Sequence, residues 1–273
     1  DSSLANKSSA HGFALSDSEM LNLISRFSDG DGLRLWNAVA RRPLAQKHRA
    51  VLPLPRIKIP KTPERISTRE LSGIYLDLLM RGGADLVLGS ADLADNTRVK
   101  PSNAKIINAD NFNGNFINYG VREHGMAAIM NGMVADGLRA VGSTFLVFSD
   151  YMRPSIRIAA LSKLPAIYVF SHDSICVGED GPTHQPVEQL PSLRLIPNLM
   201  VYRPCNMAEI AHTWRSAIMD TEHPSCIILS RQKFQQIDTP NDSDMSRGGY
   251  VIYPARSGHA KTTIIATGSE IPL

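Results

Sequence analysis

Between Ser67 and Ser230 the sequence alternates between short apolar runs and amphipathic segments, and this alternation constrains the fold more than any other feature. The apolar runs are "DLVLGS", "AVGSTF", "PAIYVFS", "LMVYRP" and "SCIILS", and a segment with helical spacing separates each run from the next. Strands that alternate with helices form parallel sheets covered on both faces. The sequence therefore predicts an α/β fold, a three-layer sandwich in which a mainly parallel sheet lies between helices.

Two of the predicted helices carry recognisable start signals. Ser67 stands three residues before Glu70, which is the spacing of a capping box, and apolar residues follow at helical intervals as far as Gly82. Asn206 stands in the same relation to Glu209. Helices are therefore expected to begin directly after Ser67 and Asn206.

Composition excludes several classes of protein. Hydrophobic residues make up 43% and charged residues 20% of the 273 positions, which is typical of a globular chain and not of a disordered one. The 29 basic residues are spread along the chain, so no nucleic-acid partner is indicated, and no apolar run approaches the length of a membrane span. Three widely spaced cysteines and the absence of a signal-peptide pattern predict a reducing, cytoplasmic location.

The flanking regions have a different character from the alternating segment. Residues 1–50 contain two short helical patterns, and the four prolines of "VLPLPRIKIPKTP" predict an extended connector at 51–63. Residues 232–257 are polar and predict a second, exposed connector. The final "TTIIATGSE" has the pattern of a strand, so we expect the sequence to be a piece of a longer chain that continues into another domain.

Polar, charged and aromatic residues that could bind a ligand or take part in catalysis follow the ends of the predicted strands. They are Asp92, Phe145, Phe148, His172, Asp173 and Arg231, and the polar loop "GEDGPTHQP" at 178–186 belongs to the same edge. Ligands of parallel sheets bind at the carboxyl ends of the strands. The sequence therefore predicts one binding site at this edge.

Glu123 and the aromatic residues each allow two interpretations. A carboxylate such as Glu123 at a helix start usually does no more than favour the helix macrodipole, but in an apolar pocket it can keep its proton and donate a hydrogen bond to a ring nitrogen. Phe145, Phe148 and Tyr151 recur at three-residue intervals, a spacing more often found in a core. At a strand end they could instead stack on a flat heterocycle.

The histidines and arginines favour an anionic, hydroxyl-rich ligand over a metal. His172 and His184 are twelve residues apart with acids between them, and this spacing does not match a zinc site. Arg69 at a helix start and Arg231 at a strand end are the arginines best placed to hold a phosphate. The "SDGDGL" sequence at 28–33 begins like a metal-diphosphate motif, but no apolar strand precedes it, and we interpret it as a loop or helix cap.

Five motifs, in order over residues 66–232, resemble the pyrimidine-binding domain of transketolases: "GGADLVLGSADL", "INYGVREHGMAAIMNGM", "GSTFLVFSDYMRPSIRIAALS", "SHDSICVGEDGPTHQPVEQL" and "LSRQ". The resemblance implies a thiamine-diphosphate-binding fold and transfer of a two-carbon ketol unit from a ketose phosphate to an aldose phosphate. It also implies a domain organisation. The predicted parts are a remnant of a diphosphate-binding domain with its connector (1–63), the pyrimidine-binding domain (64–235), a linker (236–261) and the start of a truncated C-terminal domain (262–273).

The resemblance assigns roles around the cofactor. Glu123 matches the catalytic acid that hydrogen-bonds the aminopyrimidine ring, and Asp92 matches an aspartate beside the cofactor. Phe145, Phe148 and Tyr151 match the aromatic residues that pack around the same ring.

It also assigns roles around the sugar. Asp180 matches a residue that contacts a hydroxyl of the donor, and His184 a catalytic residue near the reacting oxygens. His172, Arg69 and Arg231 match the residues that approach the sugar phosphate. Asn96 departs from the pattern, because the family often has a serine there.

In transketolases the cofactor lies between the diphosphate-binding domain of one subunit and the pyrimidine-binding domain of the other. The resemblance thus implies that this chain holds half of a site, that magnesium or calcium is held by the missing domain and not by this chain, and that the full-length protein is a homodimer. The chain alone is predicted to be inactive. Two alternatives stay open: a related thiamine enzyme such as a deoxyxylulose-phosphate synthase, and a non-catalytic or half-enzyme subunit that must pair with a diphosphate-binding chain.

Overall fold

A computed structural model describes residues 54–239, 242–256 and 258–273. The two helical patterns expected before residue 50 and the "SDGDGL" sequence lie outside the described residues. Residues 54–63 contain no helix or strand, which agrees with the extended connector predicted from their prolines. The division of the chain at residues 63, 235 and 261 stays a prediction.

The main sheet of the described residues has six strands, all parallel, and this confirms the predicted fold class. In chain order its strands are β2 (Val87–Ser90), β3 (Phe116–Asn118), β4 (Ala140–Phe145), β5 (Ile167–Ser171), β6 (Met200–Tyr202) and β7 (Ser225–Ile228). Their order across the sheet is β3-β2-β4-β5-β7-β6. A second sheet pairs two short antiparallel strands, β1 (Arg65–Ile66) with β8 (Phe234–Gln235).

Helices alternate with these strands along the chain, as a layered α/β fold requires. They are α1 (Thr68–Arg81), α2 (Ala94–Thr97), α3 (Glu123–Ala135), α4 (Ser149–Leu161), α5 (Gln189–Arg194) and α6 (Met207–Met219). Both predicted caps are confirmed. Ser67 and Glu70 form a reciprocal capping box at the start of α1, and Asn206 Oδ1 accepts a 2.9 Å hydrogen bond from the amide of Glu209 at the start of α6.

Two separate apolar clusters pack on the two faces of the sheet and complete the three layers. One includes Leu71 of α1 and Trp214 of α6, which are fully buried. The other includes Met126 and Met130 of α3. A Cβ atom at Gly142 of β4 would lie 2.3 Å from the sulfur of Met130, so a larger residue there would require the methionines of α3 to repack.

The C-terminal region differs from the expectation in two respects. Residues 262–267 form no strand, and Ile264 and Ile265 are each 88% exposed, because no neighbouring strand of the described part offers hydrogen-bond partners for their backbone. The predicted exposed connector at 232–257 is wrong in part, since Phe234 enters β8 and is buried. None of the helices in the described ranges is both long and apolar enough to span a membrane.

Candidate active site

The parallel sheet gathers the predicted site residues along one edge. Because all six strands run in the same direction, the residues that follow them lie at a common edge. In the order of the strands across the sheet, these residues are Glu123 after β3, Asp92 after β2, Phe145 at the end of β4, His172 after β5 and Arg231 after β7. The edge therefore begins with carboxylates, continues with aromatic rings and ends with a guanidinium group.

An aromatic cluster occupies the middle of this edge. The chain leaves β4 at Phe145, forms a short 3₁₀ turn and enters α4, so that three-residue intervals bring successive rings together. The ring centroids of Phe145 and Phe148 are 5.8 Å apart, and those of Phe148 and Tyr151 are 6.2 Å apart. Phe145 is buried, Phe148 is half-buried and Tyr151 is 63% exposed. The cluster is thus rooted in the core and offers an accessible aromatic surface.

His172 lies against this cluster in a constrained conformation. Its φ of 61° is in the left-handed region, which costs a non-glycine residue about 1–2 kcal/mol. Its ring stacks on Phe145 with 3.7 Å between centroids, and Nδ1 is 2.9 Å from the hydroxyl of Ser171. Burial, together with the positive charges of Arg69 and Arg231 and the nearby His184, lowers the pKa of His172 to about 3. The imidazole is therefore neutral near pH 7, and its 3.6 Å approach to Asp180 is not an ion pair.

We expect His172 to stay neutral from pH 8 down to pH 5. In the unfolded chain a histidine binds a proton near pH 6.5, so a native pKa of about 3 makes stability fall as the pH drops below 6.5, by about 1.4 kcal/mol per pH unit for this one group. ¹⁵N NMR of the imidazole, assigned with His172→Asn, checks the protonation state. Urea unfolding of both forms at pH 7.5, 6.5 and 5.5 checks the slope, which the variant should reduce. Imidazolium chemical shifts at pH 5.5 would contradict the expectation.

The loop predicted to read the ligand folds back over the aromatic cluster. It contains two 3₁₀ turns, Gly178–Asp180 and Pro182–His184, joined at Gly181, where φ is 77°. The ring of His184 packs edge-on against Phe148 with 5.2 Å between centroids. The loop thus brings Asp180 to 3.6 Å from His172 and His184 against the rings of Phe148 and Phe145.

Arg69, at the start of α1, lies close to Arg231, and its side chain reaches across to the segment that follows β2. The amide of Arg69 contacts the carbonyl of Ser230 at 3.4 Å, which places the start of α1 beside the end of β7. Arg69 Nη1 donates a 2.8 Å hydrogen bond to the backbone carbonyl of Asn96, while its buried Nε has no partner in the part of the chain that is described. Burial, then the charges of Arg98 and Arg231, lower the pKa of Arg69. The site therefore concentrates positive charge where the start of α1 meets the end of β7.

Glu123 and Asp92, after β3 and β2, make fewer side-chain contacts than the residues described above. Glu123 is the first residue of α3 and is 9% exposed, and no hydrogen bond or ion pair to its side chain is found among the described residues. Asp92 is exposed, with a left-handed φ of 63° that turns the chain at the end of β2. Asn96 is exposed, and its backbone carbonyl is the atom that contacts Arg69.

One buried ionic network was not assigned from the sequence. Arg203, after β6, donates hydrogen bonds of 3.0 and 2.8 Å from Nε and Nη2 to Oδ2 of Asp173, the neighbour of His172. The same guanidinium contacts Glu270 and Thr267. Burial raises the pKa of Asp173, while attraction to Arg203 opposes this shift. The position of Arg203 after an apolar run, like that of Arg231, was the signal in the sequence.

The described residues offer no obvious place for a metal. Among them, no group of three or more His, Cys, Asp or Glu side chains lies close enough together to hold an ion.

Comparison with known proteins assigns the family. The model of the "Transketolase, pyrimidine binding domain" family matches residues 64–236, so the chain belongs to the transketolase family through this domain. Transketolase from Bacillus subtilis is 44% identical over 212 residues, and that from Treponema pallidum is 46% identical over 214 residues. Each alignment covers 76% of this chain and 32% of the relative. The chain thus spans about a third of the length of these relatives.

Solved structures agree with this assignment. Transketolase from Leishmania mexicana superposes with a TM-score of 0.70 and 33% identity, covering 86% of this chain and 35% of the other. A transketolase from Pichia stipitis in complex with sedoheptulose-7-phosphate gives 0.67 and 33%, with 85% and 35% covered. A structure described as "Split gene transketolase, inactive beta4 tetramer" gives 0.51 and 26%, with 64% and 54% covered.

Proposed function

We propose that this chain supplies the pyrimidine-binding and sugar-reading half of a transketolase active site. The whole enzyme would transfer a two-carbon ketol unit from a ketose phosphate to an aldose phosphate. The observation that carries the proposal is the order of groups along the sheet edge, from carboxylates through aromatic rings to arginines. This order matches a ligand pair in which a heterocycle lies at one end and a phosphate at the other.

The residues at the carboxylate end fit an aminopyrimidine ring. Glu123 is a nearly buried acid with no partner in the described chain, and the accessible aromatic surface of Phe148 and Tyr151 can pack against a flat ring. When bound, thiamine diphosphate supplies the nucleophilic carbon that takes up the two-carbon unit. Glu123 would hold a proton at a nitrogen of the aminopyrimidine ring. Phe145 would pack behind the rings of Phe148 and Tyr151, and Asp92 would lie beside the cofactor.

The other residues of the edge fit a sugar phosphate. His172 is neutral, so it can donate to or accept from a hydroxyl or phosphate oxygen, and Asp180 has a buried Oδ2 without a hydrogen-bond partner in the described chain. Arg69 and Arg231 would bind the phosphate through their guanidinium groups. His184, placed over the aromatic cluster, would lie between the two ends and act on the reacting oxygens. The complex of the Pichia stipitis relative with sedoheptulose-7-phosphate supports a substrate of this class.

We further propose that the diphosphate and its magnesium or calcium ion are held by a domain other than the one described here, in a homodimer of the full-length, cytoplasmic protein. The buried thiols of Cys205 and Cys226, which form no disulfide, agree with a reducing compartment. The split-gene relative favours one other possibility, a half-enzyme subunit that pairs with a separate diphosphate-binding chain, because that structure is described as inactive.

Calorimetric titration with thiamine diphosphate and magnesium tests the half-site. The 273-residue chain should bind the cofactor weakly or not at all and show no ketol transfer, whereas a preparation that also contains the diphosphate-binding domain should bind it and turn over. Pyruvate in place of the ketose phosphate separates a transketolase from a deoxyxylulose-phosphate synthase. Tight binding or turnover by the chain alone would show that the half-site assignment is wrong.

A further inference from the structure

We propose that the Glu179 carboxylate competes with a bound anion for Arg231. The ion pair between Glu179, in the 178–186 loop, and Arg231 is what we call the latch. The proposal rests on the proposed function in one respect, because it takes that anion to be the phosphate group of a sugar phosphate. It adds a role for a carboxylate that the assignments above leave unused.

The contact itself is direct. Nη2 of Arg231 donates a charge-assisted hydrogen bond to Oε1 of Glu179. The Glu179 side chain is 76% exposed and that of Arg231 is 29% exposed, so the carboxylate is the more exposed partner of the pair. A carboxylate presents to a guanidinium the same kind of oxygen acceptor as a phosphate. Glu179 therefore occupies one of the donor groups of Arg231, Nη2, that an incoming phosphate would use.

The backbone around Glu179 is suited to release. Gly178 and Gly181 flank the Glu179–Asp180 pair with φ values of 75° and 77°, which other residues rarely adopt. A Cβ atom at Gly181 would touch nothing within 4 Å, and the nearest atom to one at Gly178 is Nη1 of Arg231, 3.7 Å away. A side chain added at Gly181 would therefore meet no neighbouring atom, and the contact with Arg231 is the hydrogen bond that ties the Glu179 side chain to the end of β7.

Charge favours replacement of the Glu179 carboxylate by a phosphate group. Arg69 approaches the same end of the site with an unpartnered Nε, and its pKa is lowered in part by Arg231. Glu179 brings one negative charge to this pair of arginines, whereas a phosphate monoester brings nearly two and three acceptor oxygens. Exposed ion pairs are weak, so the phosphate displaces the carboxylate. Because Asp180 is adjacent to Glu179 and lies 3.6 Å from His172, release of the latch also adjusts the acid that reads the sugar.

Titration of the 273-residue chain with inorganic phosphate at low ionic strength tests the latch. We expect Glu179→Gln to tighten phosphate binding about 2- to 5-fold, the range expected when a weak competing ion pair is removed. The matched control is Glu222→Gln, which removes the same charge from a carboxylate paired with Lys163 before β5 and β7, at the opposite edge of the sheet. In an Arg231→Gln background the effect of Glu179→Gln should disappear. ¹⁵N NMR should show the Arg231 side chain shifting on Glu179→Gln before any phosphate is added.

Three results would overturn the latch: no tightening by Glu179→Gln, equal tightening by Glu222→Gln, or a gain that persists without Arg231. An absence of phosphate binding to both the parent chain and Glu179→Gln would also overturn it, since Arg231 would then hold no phosphate. None of these measurements requires the thiamine cofactor or turnover. Failure of the latch is therefore distinguishable from failure of the proposed function, which the cofactor titration and the ketol-transfer assay detect.

Discussion

Replacing Glu123 by alanine should lower kcat of the assembled enzyme by about 10²–10⁴-fold, the range typical for loss of a positioned acid–base group. Glu123 as a whole residue is 9% exposed, and no hydrogen bond within the described residues satisfies its carboxyl group. An acid in this state is available to a ring nitrogen of the cofactor. The kcat of Glu123→Gln should lie between those of the parent enzyme and Glu123→Ala, because an amide can donate a hydrogen bond but cannot exchange a proton. Steady-state kinetics with a ketose and an aldose phosphate measures both.

The matched control for this experiment is again Glu222→Gln, which should leave kcat unchanged. Thermal unfolding of Glu123→Ala separates the two interpretations of this residue. If Glu123 only favours the macrodipole of α3, its removal costs about 0.3–1 kcal/mol of stability and leaves kcat within about threefold. That result would remove Glu123 from the catalytic assignment. A large loss of kcat with little loss of stability supports it.

The sequence predicted the elements whose signals are local. The capping box at Ser67, the cap at Asn206 and the apolar runs of β4, β5 and β7 each lie within a few residues, and the structure has all of them. Strand β3 was missed because "FIN" is only three residues long and lies among polar residues. The pairing of β1 with β8 joins segments that are far apart in the chain, and no short window contains both.

The candidate site likewise has features that the sequence predicts and contacts that it does not. The sequence placed Phe145, His172 and Arg231 at one edge because a parallel sheet requires it. It did not show which charges pair, since the contacts of Arg231 with Glu179 and of Arg203 with Asp173 depend on how separate loops meet. Neither the resemblance nor the spacing of residues addressed these two pairs.

Replacing Arg203 by methionine should destabilise the fold by about 3–5 kcal/mol, the usual result when one partner of a buried ion pair is removed. The Asp173 side chain is 1% exposed and that of Arg203 is 9% exposed, so water cannot replace the lost hydrogen bonds. Oδ1 of Asp173 already has no hydrogen-bond partner within the described residues, which leaves the carboxylate dependent on Arg203. Urea unfolding at pH 7.5 measures the loss. Glu270→Gln, at a carboxylate that is 42% exposed, should cost no more than about 1 kcal/mol.

The pH dependence of the Arg203→Met variant tests whether the uncompensated Asp173 charge causes the loss. Burial raises the pKa of Asp173, and removal of Arg203 takes away the attraction that opposes this shift. The native variant should then bind a proton at a higher pH than the unfolded chain, whose aspartates titrate near pH 3.9. Its stability deficit relative to the parent should therefore shrink as the pH falls from 7.5 to 5. Asp173→Asn in the same background should recover much of the deficit at pH 7.5, since it removes the buried charge. A deficit that is independent of pH and unchanged by Asp173→Asn would mean that Arg203 contributes through its packing and its contacts with the 267–270 segment instead.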